Sequence, residues 1–174
     1  MSSGGHIHEE HPFATPHDLR DPVRQLRGRL AVPVTIITAG EGDAKTGLTV
    51  SSLIAAEGDP GLVYCLLGPE TNLVDAIETS GRFIVHVCES ENREISDVFA
   101  EIRPNPGGLF AGFGHEQTGY GPQLDGFATY AFCSLRSKRE ESFSVLVSAR
   151  VDEVVVHDLT DPLTYFRGAY RRLG

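Results

Sequence analysis

The chain has no tryptophan, one methionine and only three cysteines among its 174 residues. Cys65, Cys88 and Cys133 are odd in number, each lies inside an apolar run and none belongs to a Cys-x-x-Cys pair. That excludes a disulfide framework and reads as small buried hydrophobes in a reducing compartment; a redox pair needs two of them to meet in the fold. Basic residues are also scarce, 15 Lys and Arg against 24 Asp and Glu, for a net charge of -9. Nucleic acid and anionic membranes are thereby excluded as partners, since each needs a basic face that displaces counterions. No apolar run approaches the roughly 20 residues of a membrane span. The segment from Met1 to His17 lacks the apolar core of a signal peptide, so the chain reads as cytoplasmic. No Gly-x-Gly-x-x-Gly follows a strand and no Lys-bearing phosphate loop is present, which excludes a dedicated dinucleotide-binding fold.

What is present is one domain. Residues 1–20 hold His6, His8, His11 and His17 with little that is apolar, and read as a mobile tail or an arm laid on a partner. His8 and His11 lack the zinc-site spacing of two histidines four apart, so no metal is assigned. The domain, 21–174, opens with Asp21 capping a short helix that has Pro22 at its first position and Val23, Leu26 and Leu30 on one face. A hairpin is predicted from Val34–Ala39 and Leu48–Leu53, and buried strands over Leu62–Leu67 and Phe83–Cys88. Between those strands Thr71 caps a helix with Leu73, Ala76 and Ile77 on one face, stopped by Gly81. Ser90 caps another, with Ile95, Val98 and Phe99 inward. Arg103 to Gly121, rich in glycine, reads as a long ordered loop, followed by strands over Phe127–Ser137 and Ser142–His157. Strands dominate and do not alternate regularly with helices, so the expected class is mainly β: a closed antiparallel barrel with a few inserted helices.

Two clusters of small polar side chains fall at element ends. Thr49 and Ser51 share one strand face, with Val50 and Ser52 on the other; such hydroxyls either line a polar slot or form the wet face of an edge strand. Thr71 and Asn72 begin a helix, where free N–H groups and the positive end of the dipole can hold a phosphate, although plain capping explains the same residues. Glu70 in that turn repels a dianion unless it points away.

Thr46-Gly-Leu-Thr-Val-Ser-Ser52, Gly68-Pro-Glu-Thr-Asn-Leu-Val-Asp-Ala-Ile77, Ser80-Gly-Arg-Phe-Ile-Val-His-Val87, Thr118 to Tyr130 and Asp161 to Arg172, in this order, resemble the flavin reductase-like family of FMN-binding split barrels. The resemblance implies an antiparallel split β-barrel, a homodimer with flavin near the subunit contact, and hydride transfer from NADH or NADPH to FMN or FAD. The reduced flavin then serves an acceptor or a partner monooxygenase. It places the cofactor against Thr49, Val50, Ser51 and Ser52, against Gly68, Glu70, Thr71 and Asn72, at Arg82 and Phe83, and near Tyr165 and Arg167. Arg82 is either a phosphate partner or a solvated strand-start charge. His86, where many relatives have asparagine, reads as a buried imidazole bonded to a backbone carbonyl. The family's Gly-Asp-His before the penultimate strand is missing from Arg139–Ser144. His157, followed by Asp158, is therefore the candidate catalytic group, with the Tyr165–Tyr170 segment as a second polar wall. Two alternatives stay open: a flavin or deazaflavin oxidoreductase with another donor, and a flavin-binding electron carrier without turnover.

Overall fold

β-branched and apolar runs punctuated by glycine and proline produce a β-rich fold, seen in a computed structural model that describes residues 22–173. The predicted tail and the Asp21 cap lie outside the described residues. In chain order the elements are α1 (Pro22–Arg27), β1 (Val32–Pro33), β2 (Thr35–Ala39), β3 (Thr46–Val50), β4 (Ile54–Ala56), β5 (Leu62–Leu67), α2 (Asn72–Ser80), β6 (Arg82–Val87), α3 (Arg93–Phe99), β7 (His115–Thr118), β8 (Gly121–Leu124), β9 (Thr129–Glu141), β10 (Ser144–Val156), β11 (Thr164–Phe166) and β12 (Ala169–Arg171). Seven strands form one antiparallel sheet in the order β3-β2-β6-β9-β10-β5-β4. β1, β11 and β12 form a small sheet, and β7 pairs with β8.

The edges of the large sheet, β3 and β4, are separated in sequence only by Ser51, Ser52 and Leu53. A chain this short forces the sheet to curl until its edges approach. Ser52 fastens the junction: its hydroxyl donates to the Leu66 carbonyl at 2.7 Å and accepts from the Leu66 N–H at 3.2 Å. The concave face closes on Ile37, Phe83, Val85, Cys133, Val147 and Ala149, and α2 adds Leu73, Val74 and Ile77. Phe83 has no exposed surface, and burying a side chain of that size contributes about 2–3 kcal/mol. A second core on the opposite face joins Val34, Ile36 and Cys88 to Ile95, Val98 and Phe99 of α3 and to Phe110, Leu124 and Phe127. β9 and β10 pair along most of their length, with register shifts between Ser148 and Ala149 and between Val151 and Glu153; such bulges increase twist and let the ribbon coil.

Several local expectations are corrected. β3 ends at Val50, not Leu53, because Ser51–Leu53 must cross between the sheet edges. The end of the expected 103–121 loop is the β7–β8 hairpin, which stays attached because its Pro122 carbonyl accepts from Thr38 Oγ1 at 2.6 Å. Ser90 is not the cap of its helix. Glu89 caps the 3-10 turn Ser90–Asn92 that precedes α3, in a capping box in which its N–H donates to Asn92 Oδ1 at 2.8 Å, and Asn92 is the N-cap of α3. In β5 only alternate residues are buried, since one face of the strand looks outward. The apolar face of α1 is exposed, with Leu26 at 60%.

Candidate flavin site

The sheet junction brings two of the polar clusters to one place. Ser52 is bonded to Leu66, and Leu66 runs into Gly68, whose carbonyl accepts from Thr71 Oγ1 at 2.9 Å and from the Thr71 N–H at 3.3 Å. That tight turn launches α2. Thr71 occupies the N-cap position in extended conformation, but its hydroxyl is turned back to Gly68 instead of onto the helix. The N–H groups of Asn72 and Leu73, in the first turn of α2, have no acceptor within the helix. Asn72 is exposed, as are Ser51, Gly68 and Glu70. An exposed serine hydroxyl, an exposed carboxamide and free first-turn N–H groups form a donor set that fits a ribityl-phosphate chain, with Glu70 as the one opposing charge.

Other predicted residues lie elsewhere. Thr49 and Ser51 do not line a common slot: the Thr49 hydroxyl donates to the Ser96 carbonyl of α3 at 2.7 Å. Val50 and Phe83 belong to the core and are 3% and 0% exposed. Arg82 follows Gly81, the left-handed residue (φ +66°) that ends α2. Nine helical residues, about 13 Å at 1.5 Å each, separate its end of α2 from Thr71. Its guanidinium stacks on the Tyr120 ring, 5.1 Å from the centroid. Tyr120 in turn donates to Asp152 at 3.1 Å, a carboxylate that also accepts from Ser134 and from Arg150 Nε. Partial desolvation pushes the Asp152 carboxyl up, yet the hydrogen bonds from Ser134, Arg150 and Tyr120 outweigh it and hold the group below the ordinary carboxylate range. This network on the convex face was not foreseen; the only signal for it in the sequence is an aspartate interrupting the valine-rich strand.

The C-terminal candidates form a third group. His157 and Asp158 are exposed and share no hydrogen bond among the described residues; His157 is held by its backbone, whose N–H donates to the Ala128 carbonyl at 3.1 Å. Tyr165 pairs with Val32, and the Arg167 N–H donates to the Gly28 carbonyl at 3.2 Å. Val145 pairs with Leu67 beside the Gly68 turn, whereas Val156 ends the strand before His157; at about 3.3 Å per residue β10 runs roughly 36 Å between them. A single chain therefore keeps His157 away from Thr71 and Asn72. The cleft between α3 and residues 112–114 carries Glu91, Glu94 and Asp125, a charge unsuited to a phosphate.

Comparison with known proteins gives this arrangement a context. The chain is 32% identical over 157 residues to an NADH-dependent FMN reductase, AsuE2, of Streptomyces nodosus subsp. asukaensis, covering 88% of this chain and 85% of that protein. It is 25% identical over 156 residues to the reductase component of 4-hydroxyphenylacetate 3-monooxygenase of Thermus thermophilus, covering 89% and 97%. In three dimensions it resembles nitrilotriacetate monooxygenase component B from Mycobacterium thermoresistibile, with a TM-score of 0.79 and 26% identity over 87% of this chain and 85% of that one. Residues 27–174 match the flavin reductase like domain, and the chain belongs to that family.

Proposed function

We propose that this protein is a reductase that oxidises NADH and reduces FMN, with FAD as an alternative flavin, and that it supplies reduced flavin to a partner monooxygenase. The observation that carries the reading is the meeting of Ser51–Ser52 with the Gly68–Asn72 turn at the junction of the sheet edges, in a chain 32% identical to an NADH-dependent FMN reductase. The curled seven-stranded sheet is read as the family's split barrel. When bound, the flavin supplies the acceptor for hydride and the store of two electrons. The chain's own contribution is to hold it. Asn72, Ser51 and the first N–H groups of α2 bind the phosphate end, and the Gly68 turn, itself held by Thr71, fixes their spacing. No side chain acid or base is needed for a hydride step.

The working unit is a cytoplasmic homodimer. Ile54, Val154 and Val156 are 65%, 54% and 68% exposed along β4 and the end of β10, apolar surface that a second copy would cover. In that arrangement His157 and the Tyr165–Arg167 hairpin of one subunit wall the flavin held by the other, which reconciles their distance within one chain with a shared site. Steady-state oxidation of NADH with and without FMN tests the reading. FMN-dependent turnover is expected; no FMN-dependent oxidation of NADH or NADPH would overturn it in favour of a flavin carrier.

A further inference from the structure

At the tip of the β9–β10 ribbon, Phe143 is 93% exposed, the most exposed large hydrophobic side chain among the described residues. It stands in a two-residue loop between Glu141 and Ser144, and the residue before it, Ser142, is held at φ +56°, a left-handed conformation that favours glycine. A ring this size gains nothing for folding when it stands in water, and a left-handed serine costs energy. The two-residue turn itself accounts for the Ser142 conformation, since such turns need a positive φ at their first position, but nothing among the described residues covers the ring.

The sheet register says what lies beside it. Val145 opposite Leu67 is the last pair of β10 with β5, so the β9–β10 tip leaves the sheet where β5 runs into the Gly68–Thr71 turn. On the other side of β5, Ser52 is bonded to Leu66. The ribbon tip thus flanks the turn that opens α2, and Phe143 is the one large aromatic side chain in the strip Ser51–Ser52, Gly68–Asn72, Ser142–Ser144. The remaining groups of that strip offer hydroxyls, an amide and N–H groups, which serve a phosphate and a ribityl chain but give a planar ring no face to lie on.

We infer that Phe143 is the stacking surface for the isoalloxazine ring of the flavin, an inference that rests on the flavin reading above. The ribbon tip presents a free aromatic face next to the groups that hold the phosphate, and offset stacking on a heteroaromatic ring desolvates both partners. The phosphate end and the ring are then recognised by different segments of chain, α2 with its preceding turn for one and the β9–β10 tip for the other.

FMN and riboflavin titrations of the parent protein, Phe143→Ala and Phe143→Trp, followed by flavin fluorescence polarisation, test this. Phe143→Ala is expected to weaken both flavins about tenfold, by the same factor because the ring and not the phosphate touches Phe143. Phe143→Trp is expected to bind at least as tightly as the parent. Melting temperatures of all three, without flavin, should agree, since an exposed ring contributes little to folding. Equal flavin affinity in the parent and Phe143→Ala overturns the stacking role while leaving the flavin reading intact, and so does a rise confined to the KM for NADH, which would assign the ring to the donor. A parent that binds neither flavin overturns both.

Discussion

His86 is fully buried at the crossing of β6 with β2 and β8. Its Nε2 accepts from the Leu124 N–H at 3.0 Å, which leaves Nδ1 to donate to the Ile36 carbonyl at 3.2 Å, so the neutral ring satisfies both neighbours. Burial, only partly opposed by the bond to Ile36, pushes its pKa down to about 4. Above pH 6.5 the ring is neutral folded and unfolded; below it the unfolded chain takes up the proton first, so stability is lost from pH 6.5 down to about 4, by about 3 kcal/mol in all. Denaturant unfolding of the parent and of His86→Gln across this range checks it: the parent should show the steeper acid loss, and parallel curves would remove His86 as the cause. Cys65, Cys88 and Cys133 are buried, and desolvation lifts each thiol to about 12. All three are expected to be silent to a thiol reagent in the native protein and to react on unfolding. At the proposed phosphate turn, Thr71→Ala with Asn72→Ala is expected to weaken FMN at least tenfold more than riboflavin, the loss of a hydrogen bond to a charged group, with a stability cost of about 1 kcal/mol from the lost Thr71–Gly68 bond. Equal losses for the two flavins would place the phosphate elsewhere.

Elements are tied together at few points, and the ties differ in kind. The β7–β8 hairpin is fastened by Thr38 to Pro122, by His86 to Leu124 and by Tyr120 to Asp152. Its entry is also steric: Gly121 sits at φ +123°, where an added Cβ would lie 2.8 Å from the Ala39 backbone. Gly81, at φ +66°, ends α2 in open space. Gly81→Ala therefore pays only for the left-handed backbone, about 1–2 kcal/mol, whereas Gly121→Ala adds a backbone clash and should cost at least twice as much. Chemical unfolding of the two variants compares them directly, and equal losses would mean that the hairpin can lift away from β2 freely.

For the whole molecule, the distance along β10 leads to the proposal of a site shared between subunits, which a mixing experiment tests. His157→Ala alone should lower the steady-state rate at least tenfold. If Thr71 and Asn72 of one subunit work with His157 of the other, mixed dimers of the Thr71→Ala/Asn72→Ala variant and the His157→Ala variant contain one intact site. Refolding the two impaired variants together should then restore about a quarter of the parental rate, because half of the dimers are mixed and one of their two sites is whole. No recovery above the separate variants would confine the site to one chain.

The sequence by itself determined what depends on near neighbours. Continuous apolar runs set β5 and β6, the 3.6-residue spacing of Leu73 and Ile77 set the buried face of α2, and Gly81 set its end, since each signal is local to the element that carries it. Composition likewise excluded disulfides and a basic binding surface. Tertiary structure decided everything that needed a distant partner. The hydroxyl run Thr49–Ser52 was legible as polar, but only tertiary packing split it, sending Thr49 to Ser96 of α3 and Ser52 to Leu66 of β5 and leaving Ser51 exposed. Arg82 and Thr71 are close in sequence yet parted by the length of a helix, and Asp152 found Tyr120 only because a hairpin folds back across the convex face. Pairing register, which no local pattern encodes, is what set Phe143 beside the Gly68 turn and His157 at the far end of the same strand.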